Sequence, residues 1–426
     1  MKAFASAFRA LGRVGIGPIL ALAFLVRLVP LLIHYNFLVL PQGGADAEGF
    51  ERRAWALSSG SRGAITEYLG SGVHFLAYFG SLVYDLVGRQ PMALGLGMAL
   101  LGVALVYVVY RIVFEITDDV AAGRVAGLMV ALFPQLVLHS VLFLREMPVA
   151  FFLALGVWGA VRFLNRHSIP GLLVFCVATV LATIFHTGAI IAIPGLLLGM
   201  LFARPKGERG GLTRHLVNAA GAVTLIGVIL FMDETGFGLG QFGGGFDTAM
   251  DVFETGEMRA TLGGAAYPEW MRIRGGLASE GWKIPIRYLA FLFSPVLPFL
   301  VRGAYHLLGA LDAALYIGMF AVMVRNWRVM ARNRVVLSLL VMGLSLAFVY
   351  ALGVSNFGTA IRHRAKIVPV FILIAVSAYA LASAKIRQRA SPRFEKGFAL
   401  HRSKHRSPIH GVAHPAGWTG PEDGIR

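Results

Sequence analysis

The sequence predicts an all-α integral membrane protein of about ten transmembrane helices, with interfacial or re-entrant helices in two external loops. Three observations lead there. Of the 426 residues, 57% are hydrophobic and only 14% charged, where soluble domains run at about 45–50% and about 25%. Mean hydropathy is +0.70, and the apolar residues gather in runs near the ~20 residues that a bilayer-spanning helix needs. The formal net charge of +17 falls on one side once those runs are threaded through a membrane. The same figures exclude a disordered chain, a collagen-like repeat and a disulfide scaffold. The single cysteine, Cys176, lies inside an apolar run and reads as a small buried hydrophobe.

The basic stretch Met1–Arg13 leads into the first run, 16–38. That run is long and lacks a small-residue cleavage site, so it reads as a retained anchor. Nine further runs follow at 91–113, 120–141, 147–164, 168–186, 187–203, 214–232, 305–324, 335–354 and 366–384. Two shorter stretches, 72–88 and 285–301, read as re-entrant or interfacial. The second contains Ser294-Pro295-Val296-Leu297-Pro298, whose prolines remove donors and clash with the preceding turn.

Charge sets the orientation. With the N-terminus inside, the cytoplasmic side collects 24 Lys and Arg against 7 Asp and Glu, span ends included. The outside carries 14 against 14, as the positive-inside rule requires. Arg27 and Asp312 lie within spans and cancel. Domain organisation follows as one transmembrane domain, 1–384, with external loops 41–90 and 233–304, and a basic tail, 385–426. The tail holds nine Lys and Arg and four of the twelve histidines without apolar periodicity, and reads as disordered and cytoplasmic. Orientation accounts for the excess charge and no aromatic-basic module accompanies it, so nucleic acid is not an expected partner. Membrane lipids are.

Ionisable residues at membrane depth are costly and default to functional candidates. They cluster at the outer ends of the spans, so the active site is expected outside. In the first external loop, Phe50, Ala54 and Leu57 recur at helical spacing, which predicts an amphipathic helix from about residue 46 lying on the bilayer. Asp46 stands at its start, either as a cap or as a carboxylate able to take a proton as general base. Arg145-Glu146 opens the span 147–164 just ahead of Pro148. Glu146 suits the positive end of the helix dipole, or shares a site with Asp46, while Arg145 can snorkel or contact substrate. His186 interrupts two apolar runs as a polar turn or a ligand-facing group. Glu48 or Asp46 with Glu146 would suit a divalent cation, since hard cations take carboxylates. No histidine or cysteine spacing defines a zinc site.

The run Ser355-Asn356-Phe357-Gly358-Thr359-Ala360-Ile361-Arg362-His363-Arg364-Ala365-Lys366 sits at the outer end of the last span. Arg362, His363, Arg364 and Lys366 would repel one another without an anion. A lipid-carrier phosphate fits, because guanidinium forks match phosphate oxygens; lipid headgroups would use the same physics. Asn356 joins this group as a polar candidate. In the loop 233–304, Tyr267, Trp270 and Trp282 read as interfacial belt aromatics or sugar-stacking rings.

The pattern Asp46-Ala47-x-x-Phe50-x-x-x-Ala54 after the first span resembles the D-A-x-x-Y-x-x-x-A signature of the GT-C superfamily. These are polytopic glycosyltransferases that use polyprenyl-phosphate sugars, including the protein mannosyltransferase and aminoarabinose transferase branches. The order along the chain is also similar: an interfacial segment, Leu132-Phe133-Pro134, then Leu144-Arg145-Glu146 and a helical hairpin. The likeness covers about residues 16–205, and Arg362-His363-Arg364 with Pro369 is similar to the entry of the last GT-C span and of envelope polymerases. Phe50 stands where the pattern has Tyr. The resemblance implies a hexosyltransferase acting on a polyprenyl-phosphate donor and a glycan, lipid or protein acceptor. It makes Asp46 the base and Glu146 its second acidic residue. Glu48, Arg145, His186, Asn356, Arg362, His363, Arg364 and Lys366 are then the expected substrate contacts; no cofactor is called for, a divalent cation on the carboxylates being an option and not a requirement. The expected setting is a bacterial inner (plasma) membrane, both termini cytoplasmic and the active site outside. An O-antigen-type polymerase or ligase, leaning on the arginines rather than on Asp46, is the alternative enzyme. A lipid or glycan transporter is the alternative outside enzymes.

Overall fold

The structure is a computed structural model that describes residues 14–202, 219, 223, 266–273, 277–295 and 303–403, with 387–403 as backbone alone. Its described residues are helical, with one isolated antiparallel bridge pairing Ala266 with Asn356. By packing the chain divides at Leu381, and the helical bundle belongs to the unit before that point.

Among the described residues, six helices are long and apolar enough to cross a bilayer. They are α1 (Ile16–Asn36), α4 (Pro91–Thr117), α7 (Glu146–Arg166), α11 (Ala304–Arg325), α12 (Arg334–Leu352) and α13 (Phe357–Ser403). Between them lie α2 (Ala45–Ser59), α3 (Gly72–Val87), α5 (Val120–Leu132), α6 (Pro134–His139), α8 (Ile169–Phe185), α9 (Ala192–Phe202) and α10 (Ile284–Phe293). Ten full-length spans are thus not what the described residues present. The expected span 120–141 divides at Phe133-Pro134 into α5 and α6, because a proline cannot donate to the preceding turn but is well placed to start a new helix. The expected spans 168–186 and 187–203 are the shorter α8 and a 3₁₀ turn, Thr187–Ile191, running into α9. All of the expected span 214–232 except residues 219 and 223 lies outside the described residues, as does most of the loop 233–304. The stretch 72–88 is a single helix, α3. Of 285–301 only the part up to Pro295, mainly α10, is described. The backbone of α13 continues past 384, where the tail was expected to begin, to Ser403; 404–426 lie outside the described residues.

Local chemistry accounts for the joints. Asp119 caps α5 by accepting from the Ala121 and Ala122 amides at 2.9 and 3.1 Å. The far end of α5 is closed from another helix. Arg27 of α1, fully buried, donates to the carbonyls of Ala131 (3.1 Å) and Val130 (3.4 Å), as well as to Ala23 (3.0 Å). The carbonyls that Pro134 orphans therefore have a partner inside the bundle. α7 and α8 form a hairpin whose backbones touch. A β-carbon on Gly159 would stand 2.6 Å from the Phe175 amide nitrogen, and one on Gly171 would stand 2.9 Å from the Gly159 carbonyl. Small residues allow that approach.

α2 and α3 pack against each other after the chain leaves α1. Phe50 and Ala54, two of the three residues whose spacing predicts the apolar face of α2, are buried together with Ala47, whereas the third, Leu57, is only half-buried. Glu51 ties the two helices together, accepting from Tyr84 Oη at 2.9 Å and from Arg89 Nε and Nη2 at 3.0 and 3.1 Å. α13 is buried almost continuously from Ala360 to Ala378, as expected of a helix apolar on every side. The charge of this stretch sits in its first three turns, at Arg362, Arg364 and Lys366.

Candidate active site

Three elements far apart in sequence meet at the start of α13. Gly44 precedes α2, and Asp46 lies in its first turn without making a side-chain cap. Its carboxylate instead accepts from Arg362 Nη1. Arg362 Nε donates to Glu146 Oε1 at 2.5 Å, and Lys366, one turn further along α13, lies 3.6 Å from the same oxygen. Spacing explains the second pair: residues four apart on a helix share a face. Glu146 opens α7, so its carboxylate also sits at the positive end of that helix.

Exposure grades across this cluster. The Asp46 side chain is 61% exposed, Arg362 11% and Glu146 and Lys366 1% each. One carboxylate is thus open to solvent and the other is enclosed with two cations. Arg145 stands beside them with its guanidinium 5.7 Å from the Phe50 ring. Phe50 therefore keeps the aromatic platform of the pattern without the hydroxyl. Burial pulls the Arg145 guanidinium below its ordinary range, and Glu146 pulls back. Glu51, on α2 nearby, is pushed up by burial but brought below the usual carboxylate range by its bonds to Arg89 and Tyr84.

His186 and His363 also arrive at this end of the bundle. Their rings meet edge to face at 4.8 Å, and both contact Tyr350, at 5.1 and 5.5 Å. Lys366 Nζ lies 5.7 Å from the Tyr350 ring. Among the described residues, the imidazole Nδ1 atoms and Tyr350 Oη have no hydrogen-bond partner, and Lys366 Nζ has only its longer contact with Glu146, which leaves donors and acceptors for a polar ligand.

Three candidates stand elsewhere. Asn356 caps α13 by accepting from the Thr359 amide at 2.6 Å. Glu48, two residues from Asp46, projects to the other side of α2. It lines a cleft of about 230 Å³ with His34, Tyr35, Glu51, Leu94 and Phe143. Arg364 is turned away from Arg362 and donates to the Leu292 carbonyl at 3.0 Å. Arg362 and Arg364 therefore do not grip one phosphate together, since alternate residues on a helix face opposite ways. Arg27, the mid-span arginine that a transporter would use, is engaged with backbone carbonyls.

The carboxylates do not fit a divalent cation in this arrangement. The Arg362 guanidinium occupies the position between Asp46 and Glu146, and Glu48 is on the other face. Among the described residues no group of three or more His, Cys, Asp or Glu side chains could hold a metal ion.

Residues 74–232 match the family of dolichyl-phosphate-mannose-protein mannosyltransferases. Among solved structures, the chain is similar to the oligosaccharyltransferase of Archaeoglobus fulgidus in complex with zinc and sulfate, at 18% identity and a TM-score of 0.51. That likeness covers 90% of this chain and 51% of the other. The chain has a GT-C glycosyltransferase fold. It spans about half the length of the archaeal structure, and no curated protein matches it. Within the GT-C arrangement, the matched stretch contains Glu146 and His186, while Asp46 and Arg362 lie on either side of it. Sequence reasoning passed over Tyr350. It sits inside an apolar run, where a lone tyrosine gives no sign that it faces a charge.

Proposed function

We propose that the chain is a membrane glycosyltransferase that moves a sugar from a polyprenyl-phosphate carrier to a hydroxyl of a glycan, lipid or protein acceptor. The meeting of Asp46, Arg362 and Glu146 supports this reading. Three cations, Arg145, Arg362 and Lys366, face two carboxylates, so the cluster is one negative charge short. A phosphate diester supplies it.

In the resting arrangement Arg362 is shared between Asp46 and Glu146. When donor phosphate arrives, Arg362 exchanges the exposed Asp46 for a phosphate oxygen, while Glu146 and Lys366 keep its stem in place. Asp46 is then free to accept the proton of the acceptor hydroxyl. The acceptor oxygen bonds to the anomeric carbon as that carbon's bond to the phosphate oxygen breaks. The electron pair leaves with the phosphate, where Arg362 and Lys366 stabilise the growing charge. Removing one such preorganised donor costs about 10²–10³ in rate in other enzymes. His186, His363 and Tyr350, whose rings meet beside Lys366, contact the donor head. The site opens on the extracytoplasmic face of a bacterial inner membrane, with both termini inside.

The test is turnover of polyprenyl-phosphate sugars by purified protein in lipid, for wild type, Asp46→Asn and Arg362→Ala. Both variants should lose turnover, and Asp46→Asn should keep its fold and its donor affinity. Turnover that survives Asp46→Asn but not Arg362→Ala would instead favour a polymerase or ligase working without this base.

A further inference from the structure

A second group of buried polar side chains lies across α13 from Arg362. Its centre is Arg364, whose Nη1 is held by the Leu292 carbonyl and whose guanidinium lies 5.6 Å from the Tyr316 ring. Among the described residues, Nε and Nη2, the edge that presents two parallel donors, have no partner. Asp312 of α11 lies in the field of Arg364 and accepts from the Gln135 backbone amide, but its Oδ1 is unpartnered. Gln135 of α6 leaves both side-chain amide atoms unpartnered, and so does His139 at Nε2. All four side chains are at most 1% exposed.

Leaving one such group unsatisfied is costly, and native proteins rarely do it. Here six atoms from three helices are left so, which points to a ligand. Their chemistry narrows its class. Arg364 and Asp312 cancel, so the group is not an anion trap like the cluster at Arg362. Donors (the Arg364 edge, Gln135 Nε2) stand beside acceptors (Asp312 Oδ1, Gln135 Oε1), and hydroxyl groups can both give and take. Tyr305 and Tyr316 add flat aromatic faces with polar tips. The group is also next to the first cluster. Tyr305 lies in the fields of Arg362 and Glu146 as well as of Arg364 and Asp312. His139 lies in those of Glu146, Arg362 and Lys366, with its ring 6.5 Å from that of Tyr305.

We propose that Arg364, Asp312 and Gln135 bind the hydroxyls of the transferred sugar while the carrier phosphate sits at Arg362 and Lys366. This rests on the donor reading above and assigns the residues that choose the sugar. The experiment measures equilibrium binding to the full chain in lipid nanodiscs, so it needs no turnover. The probes are bare polyprenyl phosphate and polyprenyl-phosphate mannose, glucose and galactose; the proteins are wild type, Gln135→Leu and Asp312→Asn. Wild type should bind at least one sugar-bearing carrier about tenfold more tightly than the bare one, the worth of one or two hydrogen bonds. Either variant should erase that difference and leave the bare-carrier affinity unchanged. No preference in wild type, or equal weakening of every probe by the variants, overturns the sugar assignment. Failure of wild type to bind bare carrier at all would instead strike the phosphate site, and with it the donor reading.

Discussion

Glu146→Gln isolates the electrostatic core of the cluster. The substitution keeps a side-chain oxygen for Arg362 Nε but removes the charge that faces both Arg362 and Lys366. Arg362 retains Asp46, whereas Lys366, 1% exposed, retains no carboxylate. Removing one partner of a buried pair costs about 3–5 kcal/mol. With one hydrogen bond kept, the lower end is expected, a loss of about 3 kcal/mol in chemical or thermal unfolding of the detergent-solubilised protein. The same change should strengthen binding of bare polyprenyl phosphate, because a carboxylate that repels the incoming anion is gone. At about 5 Å and an effective dielectric near 20, one unit charge is worth about 3 kcal/mol, so a tenfold gain is a conservative expectation. A destabilised protein that binds phosphate more tightly is the signature. Unchanged stability together with unchanged or weaker phosphate binding would refute the idea that Glu146 neutralises these cations.

Two further expectations concern the supports of the site. Burial raises the Glu51 carboxyl, but Arg89 and Tyr84 outweigh it and leave the folded value below 4.5. Its bonds therefore stabilise α2 against α3 above the unfolded value, and this contribution is lost as pH falls through the folded one. Hydrogen exchange across 45–89 should accelerate in that acid range in wild type, and Glu51→Gln should show no such step. Gly72→Ala would drive a β-carbon to 2.7 Å from the Ile184 carbonyl oxygen and closer still to that of Phe185. Backbone cannot yield as a side chain can, so a loss of about 1–3 kcal/mol is expected in unfolding measurements, with donor binding weakened because His186 follows directly.

How much of this was legible in the sequence varies with the kind of signal. Periodicity placed α2 and, through Phe50 and Ala54, most of its buried face, because one side of that helix is polar; it missed Ala47 and overrated the half-buried Leu57. Hydropathy marked the apolar runs but not their breaks. A window average crosses Phe133-Pro134 without notice, whereas the chain divides there into α5 and α6. Charge singled out Asp46, Glu146 and Arg362 separately, and nothing in one dimension could say that Arg362 bridges the other two. Arg364 shows the opposite limit. It looked equivalent to Arg362 in a run of cations, but helix rotation turned it towards Tyr316 and Leu292. Asn356, likewise grouped with the cations, serves the backbone as a cap.

The Arg362 bridge also has a bearing on how the chain is made. It joins residues separated by 316 and 216 positions, so neither bond can form until α13 has left the ribosome. Until then Glu146 has Arg145 but neither Arg362 nor Lys366 beside it, and closing the bundle around it carries a larger desolvation cost. The nascent protein must keep that end of α7 in water while the earlier helices wait for the last. Chains that stop short of α13 would carry an open, hydrated seam where the site should be, a mark by which membrane quality control could tell them from finished ones.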